Sequence, residues 1–80
     1  MPNGGEGIMD SDTYSPNDHC IIKANNFIKK DHIFVEWTTN SNGISDGYNW
    51  TGWSGTWNYT NGQFGIKDNK LILYAIWRHQ

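Results

Sequence analysis

The stretch from Gly47 to Trp77 (GYNWTGWSGTWNYTNGQFGIKDNKLILYAIW) constrains the fold more than any other feature of this chain. It holds four of the five Trp and three of the four Tyr residues, and large aromatic side chains favour strands. Trp53, Gly55, Trp57 and Tyr59 share one parity, while mostly polar residues lie between them. A period of two is typical of a strand with one polar face, so the stretch predicts an aromatic-rich β-meander.

Turn signals divide the chain into short segments. An Asn-Gly pair between two apolar runs is the strongest short hairpin signal, because both residues tolerate the positive φ of a type I′ turn. Asn and Asp also tolerate that conformation. The dipeptides that predict turns are Asn42-Gly43, Asp46-Gly47, Asn61-Gly62 and Asp68-Asn69.

Between these turns the sequence predicts strands and no amphipathic helix. Leu71–Trp77 (LILYAIW) is apolar at both parities, which is typical of a central strand that is covered on both faces. We therefore expect an all-β fold, a small antiparallel meander of five or six short strands. The clearest strands are His32–Thr38, Tyr48–Trp53, Thr56–Thr60, Gln63–Lys67 and Leu71–Trp77.

Two regions of different amino-acid composition suggest the domain organisation. Residues 1–18 are rich in Gly, Asp, Asn, Ser and Pro, so we expect a flexible N-terminal arm followed by a single small β domain over residues 19–80. Cys20 is the one cysteine, so no disulfide within the chain can stabilise this domain. Buried aromatic rings, each covering roughly 150–250 Å², are the expected source of stability.

Charge and hydropathy argue against two classes of partner. The formal net charge is −2 with six Lys and Arg residues, whereas nucleic-acid binding calls for a basic face. The sequence has no run of about 18 apolar residues, and we expect no membrane partner. No signal peptide is visible in the N-terminal residues, which leaves the compartment open.

The chain offers no pattern of catalytic or metal-binding residues. The thiol and imidazoles belong to His19, Cys20, His32 and His79, without the paired short spacings of a zinc site. Adjacent His19 and Cys20 would point to opposite faces of a strand. A lone buried thiol is more often inert than nucleophilic, and Glu36 reads as a solvent-facing strand residue. We therefore predict a non-enzymatic protein with no cofactor and no metal.

The number of large rings exceeds what one small domain packs easily, so some should be exposed and available for binding. Exposed rings can anchor a protein interface or stack on sugars. Trp37 and Trp77 are the best core candidates. Trp50 is the best candidate for exposure, because its neighbours in sequence indicate no inside face. The predicted binding residues, for protein or glycan, are Tyr48, Trp50, Trp53, Trp57 and Tyr59.

Three blocks of this stretch resemble a known family. GYNWTGW at Gly47–Trp53 is similar to the GY-x-F-x-GW signature of the Listeria–Bacteroides repeat, the B-repeat of internalin-type surface proteins, with Trp50 in place of Phe. Trp57-Asn58-Tyr59 followed by Gly62, and then the segment Leu73–Trp77, resemble its later W-[DN]-[FY]-x-x-G and LYA-x-W blocks. The resemblance covers roughly 30 residues and implies a β-grasp-like topology, although no helical pattern precedes the first block.

The resemblance also implies a function. Members of that family are extracellular modules that act as spacers or as contact surfaces for proteins, without catalysis. The leading hypothesis is therefore an interaction module that contacts a protein partner or self-associates. If the resemblance holds, we expect it at the cell surface or outside the cell, and otherwise in the cytoplasm. The alternatives are a carbohydrate-binding module and a small phage-encoded inhibitor. We expect no nucleic-acid partner under any of these hypotheses.

Overall fold

The computed structural model describes residues 1–9, 11–15, 17–48 and 50–80, and it is all-β as predicted. Its described part has four strands in two antiparallel pairs and no α-helix. The expected count of five or six strands is therefore wrong. In chain order the strands are β1 (His19–Ile21), β2 (His32–Thr38), β3 (Ser54–Thr56) and β4 (Tyr74–His79), with a short 3₁₀ turn at Gln63–Gly65.

Strand β2 forms where the sequence predicted it, and it pairs with β4 from His32 opposite His79 to Thr38 opposite Tyr74. A β-bulge between Phe34 and Glu36 interrupts this register. Because a bulge inserts an extra residue, the side-chain alternation shifts there. Val35 is consequently 46% exposed, while Trp37 is buried, so these two residues do not share the face that simple alternation gave them.

The run from Leu71 to Trp77 is not a central strand with two covered faces. Strand β4 begins only at Tyr74, and Ile72 is 48% exposed. The other edge of β4 is occupied by the N-terminal residues rather than by a strand. The Ala75 N–H donates to the Met1 carbonyl at 3.0 Å, and the Asn3 side-chain amide donates to the Ala75 carbonyl at 3.0 Å.

Three further strands do not form as predicted: Tyr48–Trp53, Thr56–Thr60 and Gln63–Lys67. Residues 50–53 form a turn, closed by a hydrogen bond from the Trp53 N–H to the Trp50 carbonyl, and Gly52 has a φ of 73°. Gln63–Lys67 starts with the 3₁₀ turn instead of returning as a strand, so Asn61-Gly62 joins no hairpin. Strand β3 ends at Thr56. The Asp68-Asn69 turn forms as predicted, between the paired residues Lys67 and Lys70.

The core is small and mainly aromatic. Phe27, Trp37, Trp50 and Ala75 form its buried centre, and half-buried side chains such as Trp77 pack against them. Phe27 meets Trp37 edge-to-face with ring centroids 5.9 Å apart. The second pair of strands adds Cys20, which is buried opposite Gly55. Trp37 is in the core as predicted, whereas Trp77 is only partly buried.

The first residues of the predicted arm pack on the rest of the chain. The Trp77 indole donates to the Pro2 carbonyl at 2.8 Å, and Glu6 exchanges two backbone hydrogen bonds with Ile28. A Cβ at Gly5 would lie 2.6 Å from the Trp77 ring and 3.0 Å from the Ile28 carbonyl oxygen. The flexibility of residues 1–18 stays a prediction, and the close approach at Gly5 provides a test of it.

Substituting Gly5→Ala should destabilise the protein by about 1–3 kcal/mol, because the added methyl group overpacks a site bounded by a ring and a carbonyl. Chemical unfolding followed by Trp fluorescence measures this change. Ile8→Ala, at a side chain that is 91% exposed in the same segment, serves as the control and should change stability by less than about 0.5 kcal/mol. Equal stability of Gly5→Ala and wild type would mean that the arm is detached in solution.

Candidate functional site

The loop after β2 is organised by one carboxylate, Asp46. Its Oδ2 accepts hydrogen bonds from the Thr39 N–H at 2.7 Å, from the Thr39 hydroxyl at 2.7 Å and from the Trp50 indole N–H at 3.1 Å. Its Oδ1 accepts the Tyr48 N–H at 2.9 Å. Asp46 thus joins the end of β2 to the first rings of the aromatic segment, and Gly47, with a φ of 78°, permits the turn between them.

These contacts determine the charge state of Asp46. Burial by itself would raise the pKa of the carboxyl, but the hydrogen bonds from Thr39, Tyr48 and Trp50 stabilise the ionised form and bring the pKa below its ordinary value. Hydrogen bonds to an ionised acceptor are stronger than those between neutral groups. Asp46 therefore stays negatively charged over the neutral and mildly acidic range and holds the Trp50 indole in place.

Trp50 is buried, with 3% of its surface exposed, so the prediction that it is the best candidate for exposure is wrong. The residues that bury it are distant in sequence or come from the far side of a turn. Its ring lies 5.3 Å from Phe64, 5.9 Å from Tyr59 and 6.0 Å from Trp53, between centroids. Trp50 is consequently the floor of an aromatic cluster rather than a surface group.

The cluster surrounds an open concavity of about 280 Å³. Four of the five predicted binding residues line it, and the fifth, Trp57, contacts the Tyr59 ring at 5.1 Å without lining it. Tyr48 is 49% exposed at its rim. We call this feature the aromatic concavity, and the described residues that line it are Gly47, Tyr48, Trp50, Trp53, Tyr59 and Phe64.

Phe64 is the one lining ring, among the described residues, that the sequence did not predict. It was assigned to a returning strand, whereas it lies in the 3₁₀ turn with a φ of 51°, which is uncommon for a residue with a large side chain. The turn is held by the Thr60 N–H and hydroxyl, which both donate to the Gln63 side-chain oxygen, at 2.7 and 2.9 Å. This arrangement places the Phe64 ring 4.6 Å from Tyr48 and 5.0 Å from Tyr59.

The rings of the concavity are not coplanar. Trp50 makes interplanar angles of 64° with Trp53 and 77° with Tyr59, and Trp57 makes 85° with Tyr59. Trp53 and Tyr59 are tilted by 41°. None of these contacting pairs is therefore coplanar enough to serve as a flat platform on which a sugar ring could stack.

Other candidate chemistry has no support in the geometry. His19 is exposed and Cys20 is buried, on opposite faces of β1. Burial raises the pKa of the Cys20 thiol, which disfavours the reactive thiolate. Over residues 1–9, 11–15, 17–48 and 50–80, no group of three or more His, Cys, Asp or Glu side chains could hold a metal ion. The same residues include no helix long and apolar enough to cross a membrane.

Comparison with known proteins finds no counterpart. No protein-family model matches this chain, and no curated protein or solved structure shows significant similarity to it.

Replacing Asp46 by Asn should lower the free energy of unfolding by about 1–2 kcal/mol. Hydrogen bonds to a charged group contribute about 1.5–3 kcal/mol, and solvent screens this partly exposed carboxylate. The measurement is urea unfolding followed by Trp emission, which should also move to longer wavelength in the variant as Trp50 loosens. Asp68→Asn, at an exposed turn position that Asn tolerates equally well, is the matched control and should leave stability unchanged.

The contribution of Asp46 has a defined dependence on pH. Because the pKa is lower in the folded protein, the stabilisation is complete above the unfolded value of about 3.9 and is lost as the pH falls through the folded value. The stability difference between wild type and Asp46→Asn should therefore be constant near neutral pH and shrink below about pH 4. A difference that persists undiminished in acid would mean that the ionised carboxylate is not its origin.

Proposed function

We propose that this chain is a non-catalytic β-rich interaction module that contacts a protein partner or a second copy of itself through the aromatic concavity. The observation that carries the proposal is an open hollow lined by large rings, with the half-exposed Tyr48 at its rim. Aromatic side chains around a desolvated pocket are typical of the residues that dominate binding energy at protein interfaces. Because Asp46 holds the floor ring Trp50, the hollow is formed before a partner arrives.

The strand edges are partly covered, which favours the concavity rather than the sheet as the contact site. An unpaired edge invites another chain to add a strand. Here the edge of β4 at Ala75 is covered by Met1 and Asn3, and the Trp37 N–H of β2 donates to the Thr51 hydroxyl at 2.9 Å. The apolar Leu71–Trp77 segment, whose exposed edge would be another surface for self-association, is thus partly occupied by the chain itself.

We also propose that the module is of the surface-repeat type that the aromatic blocks of the sequence imply. Such a module would lie outside the cell or at its surface. Its support is the order of those blocks along the sequence and the fact that Tyr48, Trp50 and Trp53 of the first block all line the concavity.

Two measurements on wild type and Tyr48→Ser test the interaction. Sedimentation equilibrium over a concentration series should show a mass that rises with concentration if the partner is a second copy, and Tyr48→Ser should weaken this rise. If wild type stays monomeric, selection of peptides from a random display library should enrich sequences that bind wild type and not Tyr48→Ser. Ile72→Ser is the control, because Ile72 is 48% exposed outside the concavity, against 49% for Tyr48.

The proposal fails if wild type remains monomeric and no peptide discriminates it from Tyr48→Ser. It also fails if Ile72→Ser weakens binding as much as Tyr48→Ser does, since the loss would then reflect exposed apolar surface in general.

A further inference from the structure

The Phe64 ring stands almost at right angles to three other rings of the concavity. Phe64 makes interplanar angles of 81° with Tyr48, 86° with Trp50 and 85° with Tyr59. The corresponding centroid distances are 4.6, 5.3 and 5.0 Å, so the rings are in direct contact. Perpendicular rings in contact present both faces and edges to the hollow that they border. The arrangement is therefore a cage of rings, in contrast to a flat stacking surface.

The electrostatic character of this cage favours a positive guest. The face of an aromatic ring carries negative charge, and a cation within about 6 Å of a centroid is attracted to it, most strongly over Trp. Among the described residues, the lining consists of rings and Gly47, without a charged side chain. The Asp46 carboxylate accepts the Trp50 indole N–H and so adds a negative charge next to the floor ring.

The apolar lining selects among cations. A bare ammonium is strongly hydrated and would lose its water on entering a cavity walled by rings. A quaternary ammonium has methyl groups in place of N–H donors, so it needs no hydrogen-bond acceptor and matches apolar walls. The concavity, at about 280 Å³, is several times the roughly 30 Å³ that one water occupies in the liquid, which leaves room for such a group.

We propose that the aromatic concavity binds a quaternary ammonium group, of the kind carried by choline or by a trimethylated lysine side chain. This inference rests on the proposed function and names the chemistry that the same site recognises. The cation lies in the hollow beside Tyr48 and over the floor ring Trp50, held by the ring faces that line the hollow and by the charge of Asp46.

The decisive experiment compares choline with 3,3-dimethylbutan-1-ol, in which carbon replaces the charged nitrogen at almost the same shape. Both are titrated into the full chain while the Trp indole N–H signals are followed by two-dimensional ¹H–¹⁵N NMR. Choline should bind at least about fivefold more tightly, as expected for a cation–π contribution of about 1 kcal/mol. Equal affinity of the two compounds, or no shift with either, would overturn the inference.

A pair of matched variants locates the binding. Tyr48→Leu keeps an apolar side chain at the rim and removes one ring face, so it should weaken choline binding about fivefold and alter dimethylbutanol binding little. Tyr14→Leu makes the same exchange outside the concavity, at a hydroxyl whose two long hydrogen bonds reach the Ile21 backbone, and choline should bind this variant as wild type. Equal losses in both variants would overturn the assignment to the cage.

A third titration distinguishes the possible sources of the ammonium group. It compares N-acetyl-trimethyllysine amide with N-acetyl-lysine amide. Binding of trimethyllysine but not lysine supports a modified protein as the source, and binding of choline alone supports a free or headgroup ligand. The proposed function fails independently of this inference. Peptides that discriminate wild type from Tyr48→Ser while no ammonium compound binds would overturn the quaternary-ammonium ligand and keep the interaction module.

Discussion

The structure depends on one group of hydrogen bonds, those that converge on Asp46. The carboxylate accepts two from Thr39, one from the Tyr48 N–H and one from the Trp50 indole. Together with the hydrogen bond from the Trp37 N–H to the Thr51 hydroxyl, they join the end of β2 to the start of the aromatic segment. With them, Trp50 is held between the core, where Phe27 and Trp37 lie, and the aromatic concavity. A partly exposed polar network thereby determines where the largest apolar side chains pack.

Edge-to-face ring contacts supply much of the remaining order. A chain of 80 residues with one cysteine buries a limited core, and each well-placed aromatic pair adds about 0.5–1.5 kcal/mol beyond the area that it covers. The contacts of Phe64 with Tyr48, Trp50 and Tyr59 connect the 3₁₀ turn to the loop after β2 in this way. The same rings leave a hollow between them, so the residues that stabilise this half of the protein also line its candidate binding site. The proposed binding role and the packing role are combined in one set of side chains.

The sequence predicted the fold class and strand β2 better than it predicted the number of strands or the exposure of Trp50. His32–Thr38 was recognisable because a run of β-branched and aromatic residues reports local preference. The extra strands were wrong because alternation at residues 48–53 and 63–67 competes with turn geometry, which the positive φ of Gly52 and Phe64 decides. The burial of Trp50 could not be read locally, since the partners that cover it include Phe64, fourteen positions away. Asp46 was predicted only as a turn residue, because the sequence around it gives no sign that its carboxylate accepts an indole N–H.

The exchange rate of the Trp50 indole proton with solvent tests the central claim most directly. The account predicts that this proton, bonded to Asp46 and covered by rings, exchanges much more slowly than in a free indole and shows nuclear Overhauser contacts to Phe64 and Tyr59. The measurement is made on the full-length chain by ¹H–¹⁵N NMR at neutral pH. An indole proton that exchanges at the unprotected rate, without those contacts, would contradict the arrangement of Asp46, Trp50 and the aromatic concavity.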